Sequence, residues 1–340
     1  MLTRSDVLLS GLTTLRVGGP ARAFLEVGER AELYDAVAAA DGAADPVLVL
    51  GAGSNLVVAD AGFPGTTIAV RTAGEAATSV GDSVEVTVEA GEDWDGLVSR
   101  AVDRGWSGLE ALSGIPGTVG AAPVQNVGAY GREVSETVVA VHAYDRRAGR
   151  PTVLDSVACG FGYRTSVFKA APGHYAIGAV TFRLAVHPTA EVRYADIAAR
   201  LGVPVGAQVP LVELRSAVLG VRATKGMLLD PADHDTWSVG SFFTNPFLAP
   251  DRVPAGAPAW PQSTGSVKTS AAWLIEHAGF GRGHGNDRVR LSTKHPLAVT
   301  NRGGATTADV LALARSVRDG VAARFGVELK PEPTLVGCRL

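Results

Sequence analysis

Pro46-Val47-Leu48-Val49-Leu50-Gly51-Ala52-Gly53-Ser54-Asn55-Leu56-Val57-Val58 (PVLVLGAGSNLVV, 46–58) decides between two ways of building a nucleotide-binding protein. An apolar run enters a Gly-x-Gly turn, as in a dinucleotide-binding Rossmann unit. That fingerprint needs a third Gly three residues after the second, where a helix opens over the pyrophosphate. Here the position is Leu56, and Leu56-Val57-Val58 continues as a strand. The Rossmann fold is therefore rejected. Two readings of the turn stay open: a backbone nest whose N–H groups face a phosphate, and a hairpin turn with Gly at positive φ.

Outward from this stretch the pattern is mixed. TTLRVGGPARAFLEV (13–27) predicts a strand after Gly19-Pro20, and ERAELYDAVAAAD (29–41) a helix stopped at Gly42. TTIAV and VEVTVEAG predict short strands between 66 and 90, and EDWDGLVSRAVDR (92–104) an amphipathic helix ending at Gly105. VVAVHAYDR and the turn Ala148-Gly149-Arg150 predict a hairpin, with HYAIGAVTFRL (174–184) as a further strand. Past residue 186 helical patterns cover 195–201 and 211–222, and a Pro- and Gly-rich loop spans 248–266. KTSAAWLIEHA (268–278) reads as a helix and HPLAVTN as a strand. TTADVLALARSVRDGVAARF (306–325) reads as a long amphipathic helix capped by Thr306 or Thr307. The class is α+β, without internal repeats.

The chain has 340 residues, which predicts two or three domains. Its net charge of −3 offers no broad basic face for nucleic acid. Two cysteines, Cys159 and Cys338, do not make a disulfide scaffold, and a reducing cytoplasm is expected. No signal-peptide core stands at the N-terminus. No apolar run approaches the roughly 20 residues of a membrane-spanning helix, so no membrane insertion is expected. The seven histidines do not pair at metal-ligand spacing, and no metal site is expected.

Four segments carry chemistry. GIPGTVGAAPVQNVGAYG (114–131) brings together Gly114, Gly117, Gly120, Gly128 and Gly131, whose bare backbone can approach a phosphorylated cofactor. Gln125 and Asn126 add neutral donors and acceptors suited to the edge of an isoalloxazine ring. A purely structural loop is the alternative. Arg164, in FGYRTSVFK (161–169), has the planar fork that binds a carboxylate bidentately; a surface ion pair is the alternative. Ser241, in VGSFFTNP (239–246), is no nucleophile elbow, since Gly-x-Ser-x-Gly is absent. As a proton donor it needs a neighbouring cation or relay, for which Lys225 is one candidate; a turn-capping Ser is the alternative. Glu332, in KPEPTLVG (330–337), lies between two prolines that hold it extended, or is simply an exposed charge. Arg, Ser and Glu together suit one task, in which a carboxylate-bearing substrate is gripped while a proton reaches carbon.

GAGSNLVV, GIPGTVGAAPVQNVGAYG, FGYRTSVFK, GSFFTNP and KPEPTLVG, in that order, resemble the UDP-N-acetylenolpyruvoylglucosamine reductase family over about Thr13 to Gly337. The resemblance implies a p-cresol-methylhydroxylase-type FAD-binding fold. Lobe 1 is expected over 1–70, completed by 326–340, lobe 2 over 71–186, and an α+β substrate domain over 187–325. It implies non-covalent FAD, because the FAD loops hold neither His nor Cys for attachment, and NADPH as hydride donor. Gly51, Gly53, Ser54 and Asn55 are expected at FAD, as are Ser113, Gly114, Ile115, Pro116, Gly117, Gly120, Gln125, Asn126, Gly128, Tyr130 and Gly131. Arg164 and Glu332 are expected to stabilise charge on the substrate carboxylate, and Ser241 to protonate carbon. Tyr163, Tyr194, Lys225, Asn245, Lys268 and His295 are expected at the substrate, with Tyr194 marking a subgroup that carries an extra Tyr loop. Small-molecule partners alone, a cytoplasmic location and a monomer are also implied.

The sequence departs from the family at three places. Thr244 stands where many members have Lys, Gly226–Val239 is longer than usual, and 248–266 is enlarged. Two other functions compete: an FAD-linked oxidoreductase of the same fold acting on another alcohol or sugar, and a non-catalytic nucleotide-sugar sensor. The first needs a base rather than a carbon protonator. The second has no use for a complete set of cofactor loops.

Overall fold

The computed structural model describes residues 2–340; Met1, where the first expected lobe begins, lies outside the described residues. The chain forms two compact units. One comprises 2–7, Ala21–Ala52 and Pro64–Leu228, the other Leu8–Pro20, Gly53–Phe63 and Leu229–Leu340. The expected domains are divisions by role, and compactness draws its line elsewhere. It falls after Leu228 rather than at 186 because helix Leu211–Thr224 packs on helix Trp94–Asp103 and shares the body of the first unit.

In the first unit, strands Leu2–Leu8, Pro20–Val27, Phe63–Val70 and Val47–Leu50 lie side by side in that order. The last two run parallel, with Val47 opposite Thr66. Helix Arg30–Gly42 joins Pro20–Val27 to Val47–Leu50, and a Glu29/Glu32 capping box satisfies its first amides. The second sheet is antiparallel, in the order Arg150–Asp155, Val138–Asp145, Tyr175–Val186, Ser83–Glu89, Glu75–Val80. Along Ser83–Glu89 the valines 84, 86 and 88 are buried while the residues between them are half-exposed. This period of two puts one face on the core. Trp94, Phe182, Val180 and Val98 fill that core. Edge strand Glu75–Val80 escaped the sequence reading because it is exposed along nearly its whole length and shows no apolar alternation. Helices Ala195–Leu201 and Leu211–Thr224 bury a smaller cluster around Ile197, Leu214 and Val218.

The second unit is organised by helix Thr307–Phe325. Thr306 caps it in a capping box with Asp309, and Gly326 ends it at φ +65. Val310, Ala314, Val317 and Val321 form its buried stripe, packed with Leu274, Ile275, Phe242 and Phe243. Strand Leu56–Val58 pairs in parallel with Thr334–Val336. A strand therefore follows the Gly-x-Gly turn, as the rejection of the Rossmann unit requires. The expected helix over 268–278 is shorter: Ser270 Oγ accepts the Trp273 amide at 3.2 Å and starts the helix at Ala271. Lys268 accordingly sits on strand Val267–Thr269. The loop 248–266 contains a strand of its own, Ala259–Pro261, which pairs with Val267–Thr269.

Candidate active site

In the first unit the two glycine-rich segments touch. A Cβ on Gly51 would collide with Thr118 Oγ1, so the exit of strand Val47–Leu50 presses bare backbone against the 114–131 loop. Gly120 has the same constraint, since a Cβ there would stand 2.5 Å from Ala90 Cβ. The loop is braced from within. Ser113 is fully buried, its hydroxyl donating to Glu110 O at 2.6 Å. The Gly114 amide donates to Asp95 Oδ1 at 2.6 Å, and Arg215 grips the same carboxylate at 2.6 and 2.8 Å. Burial alone would raise the Asp95 pKa, but the hydrogen bonds from Arg215 and Gly114 outweigh it and hold the carboxyl below the usual range.

Asn126 is 1 % exposed and its side chain works as a tie. Nδ2 donates to Glu133 Oε2 at 2.7 Å and to Gly162 O at 3.1 Å, while Oδ1 accepts the Ser135 amide at 3.0 Å. The Gly-rich loop is thereby joined to the Gly162-Tyr163-Arg164 turn. Arg164 Nη2 donates to Gly128 O at 2.6 Å, and its guanidinium lies 5.6 Å from the Tyr163 ring centroid. Asn126, Tyr130 and Arg164 all adopt left-handed backbone, at φ +48, +51 and +54. Each such residue costs about 1–2 kcal/mol without the freedom of Gly. The surrounding contacts hold all three there.

Tyr130 stacks edge-on against Tyr194 with centroids 5.6 Å apart, and burial raises its pKa. Lys225 Nζ pairs with Asp196 Oδ2 at 2.7 Å. Lys169 Nζ approaches Gln125 Oε1 at 3.5 Å. Arg222, which belongs to no motif, is 7 % exposed, donates to Met227 O at 2.9 Å and lies against Gly114. Burial pulls its pKa down, opposed by Tyr130 and Asp95.

In the second unit the Ser and Glu motifs are bonded to each other. Glu332 N donates to Phe242 O at 2.9 Å, Phe243 forms a bridge with Pro331, and Thr244 N donates to Lys330 O at 3.1 Å. Glu332 is therefore bonded to the residue that follows Ser241. Buried Phe242 and Phe243 anchor the segment below. Gly240 at φ +72 makes the turn into it. Ser241 Oγ lies 3.3 Å from His295 Nε2. The hydroxyl rotates and the imidazole nitrogen changes role with tautomer, so a proton can pass either way. Sequence reasoning expected His295 at the substrate and had no signal for its pairing with Ser241.

Asn245 Oδ1 accepts the Ala271 amide at 2.9 Å. Lys268 faces Phe247 and Trp260 across the small sheet, with Nζ 5.8 Å from the Trp260 ring. The Gly53-Ser54-Asn55 turn is held by Thr14, whose amide donates to Gly53 O at 3.2 Å, and by Thr334, whose amide donates to Asn55 O at 3.0 Å. Among the described residues no cluster of His, Cys, Asp or Glu could hold a metal ion. Among the described residues no helix is long and apolar enough to cross a membrane.

Residues 21–154 match the FAD binding domain family, and residues 230–336 match the C-terminal domain of UDP-N-acetylenolpyruvoylglucosamine reductase. The reductase of that name from Thermobifida fusca is 53% identical, covering 98% of this chain and 98% of its own. The one from Cutibacterium acnes is 51% identical, with 98% and 90% covered. The crystal structure of the enzyme from Thermus caldophilus aligns with TM-score 0.67 and 28% identity over 98% of this chain and 100% of that one. The braced loop, with half-buried backbone at Gly114–Gly117 and Gly128–Tyr130 and the half-buried amide of Gln125, fits the FAD that the matched domain implies; the Asn126 side chain, expected at the ring edge, is instead spent on Glu133, Gly162 and Ser135.

Proposed function

The chain belongs to the UDP-N-acetylenolpyruvoylglucosamine reductase family, and on that premise we propose that it reduces the enolpyruvyl group of UDP-N-acetylglucosamine enolpyruvate to give UDP-N-acetylmuramate for peptidoglycan. FAD, bound without a covalent link, supplies the hydride-transfer chemistry between NADPH and the methylene carbon of the enolpyruvyl ether. In this reading 1–70 with 326–340 and 71–186 hold FAD, and 187–325 serves the substrate. The turn Gly51–Asn55 and the loop Ser113–Gly131 bind the cofactor through backbone amides and small polar groups.

Addition to the double bond builds negative charge on the substrate carboxylate. Arg164 stabilises that charge through its guanidinium, and Glu332 shares the task through a hydrogen-bonded carboxyl. A preorganised donor of this kind is worth ~2.7–4 kcal/mol elsewhere. Ser241 gives its hydroxyl proton to the adjacent carbon, and His295 replaces that proton on Oγ. Tyr163, Tyr194, Lys225, Asn245 and Lys268 bind the rest of the substrate. The enzyme acts as a monomer in the cytoplasm, where such a nucleotide sugar would be met. One observation carries the reading: Ser241 Oγ lies 3.3 Å from His295 Nε2, on a segment bonded through Phe242 to Glu332.

An anaerobic visible spectrum tests it. NADPH should bleach the flavin, and UDP-N-acetylglucosamine enolpyruvate should restore the absorbance in full. Bleaching with no restoration would discard the substrate, and a colourless protein would discard the reductase.

A further inference from the structure

The turn that carries His295 is built on residues 230–236. That segment folds on its own polar side chains. Thr236 Oγ1 donates to Asp230 O at 2.8 Å, and Asp233 Oδ1 accepts the Asp235 amide at 2.9 Å. The folding delivers Asp235, 5 % exposed, beneath residues 292–298. Its Oδ1 accepts the Thr293 amide at 3.1 Å and Arg302 Nη1 at 3.0 Å, and its Oδ2 accepts the Thr293 hydroxyl. Next to Thr293, Lys294 Nζ pairs with Asp233.

The rest of the turn is closed from inside. Ser292 Oγ accepts the amides of Lys294 and His295 at 3.0 and 3.2 Å, and Ala298 N donates to His295 O at 3.1 Å. Leu297 O accepts the Phe242 amide at 2.7 Å, beside Ser241. These bonds tie residues 292–298 to one another. The tip of the turn is set by Leu297 on one side and by Thr293 on Asp235 on the other. A 3.3 Å contact between Ser241 and His295 tolerates little drift before it stops being a hydrogen bond.

We propose that Asp235 is a positioning residue for proton delivery: by fixing Thr293 it sets the distance between His295 and Ser241. Asp235 touches neither substrate nor cofactor in this role, and the inference rests on the reading of Ser241 as proton donor.

Anaerobic rapid mixing of the holoenzyme tests this with Asp235→Asn, Thr293→Val and Thr293→Ser. Thr293→Val removes only the hydroxyl contact, so it covers the case in which Asp235→Asn fails to fold. Flavin reoxidation at saturating enolpyruvyl substrate should slow roughly 10- to 100-fold in the Asn and Val variants and recover with Ser, while flavin reduction by NADPH and substrate Kd stay within about threefold of wild type. Wild-type reoxidation in folded Asn and Val variants overturns the inference, as does an equal loss in both half-reactions. A second readout does not need turnover. In 15N-histidine NMR spectra, Ser241→Ala should shift the His295 ring signals in the wild-type background and leave them unmoved in the Asp235→Asn or Thr293→Val background. Equal shifts in all backgrounds overturn the inference. If the wild-type flavin ignores the enolpyruvyl substrate, the functional reading falls and the NMR result still decides the role of Asp235.

Discussion

The loop Ser113–Gly131 and the segment Gly240–Asn245 both carry residues proposed for the site, and they are held by different means. The first is irregular. Its shape depends on glycines that leave no room for a Cβ and on Asn126 and Tyr130 in left-handed backbone. The second turns in at Gly240, φ +72, is bonded to Lys330–Glu332 at Phe242 and Thr244, and is anchored by two buried phenylalanines. A cofactor bound through amides needs a backbone shaped to it, and that shape is stored as local strain. A hydroxyl proposed to deliver a proton needs one distance, and the bonds from Phe242 N to Leu297 O and from Glu332 N to Phe242 O hold its segment in place.

The strongest way to break the comparison is Ser241→Ala. Reoxidation of the flavin by substrate should fall about 10²- to 10⁴-fold, with reduction by NADPH retained, because only the proton transfer is lost. Equal loss of both half-reactions in a folded variant would remove Ser241 from the donor role.

Two glycine substitutions separate steric from conformational demand. Gly120→Ala puts a methyl group 2.5 Å from Ala90 Cβ and should cost about 1–3 kcal/mol in urea unfolding, with less flavin retained on gel filtration. Gly240→Ala meets open space at φ +72 and should cost only about 1 kcal/mol, with flavin content unchanged. Equal flavin loss from both would show that the loop and the Ser segment are not held differently.

The finest probe is at Arg164. Both Arg164→Ala and Arg164→Gly should lose activity with the guanidinium. At φ +54, however, the Gly variant should be about 1 kcal/mol the more stable of the two by chemical denaturation. An Ala variant as stable as Gly would mean that the turn relaxes, and that Arg164 is not held in a strained backbone.

Much of the architecture was legible because its signals are local. Alternating valines at 84, 86 and 88, the Thr306 cap and Gly326 each announce their structure within a few residues. The Gly-x-Gly turn was correctly separated from a Rossmann unit by Leu56 alone. What escaped depends on distant partners. Glu75–Val80 is a strand only because Ser83–Glu89 lies beside it. Ser270 competes with a helical-looking Lys268-Thr269 and moves the helix start. Nothing within 230–235 reveals that Asp235 is buried under Thr293. Ser241 and Glu332 are proposed from their motifs, and the backbone bond from Glu332 to Phe242 crosses too much chain to be seen in sequence.

Leu56–Val58 has Thr334–Val336 as its sheet partner. Val57 O and Cys338 Sγ, 281 positions apart, stand 3.4 Å from each other. At ribosomal rates of about 5–20 residues per second, the early strand waits on the order of tens of seconds for its neighbour to be made. Throughout that interval the nascent chain carries an unmated apolar edge that invites chaperones or wrong partners. Glu332 is synthesised just before the closing strand. Truncated chains, from stalled ribosomes or nicked messages, would thus lack both the carboxyl and the clasp, and would be recognisable to proteases as unfinished.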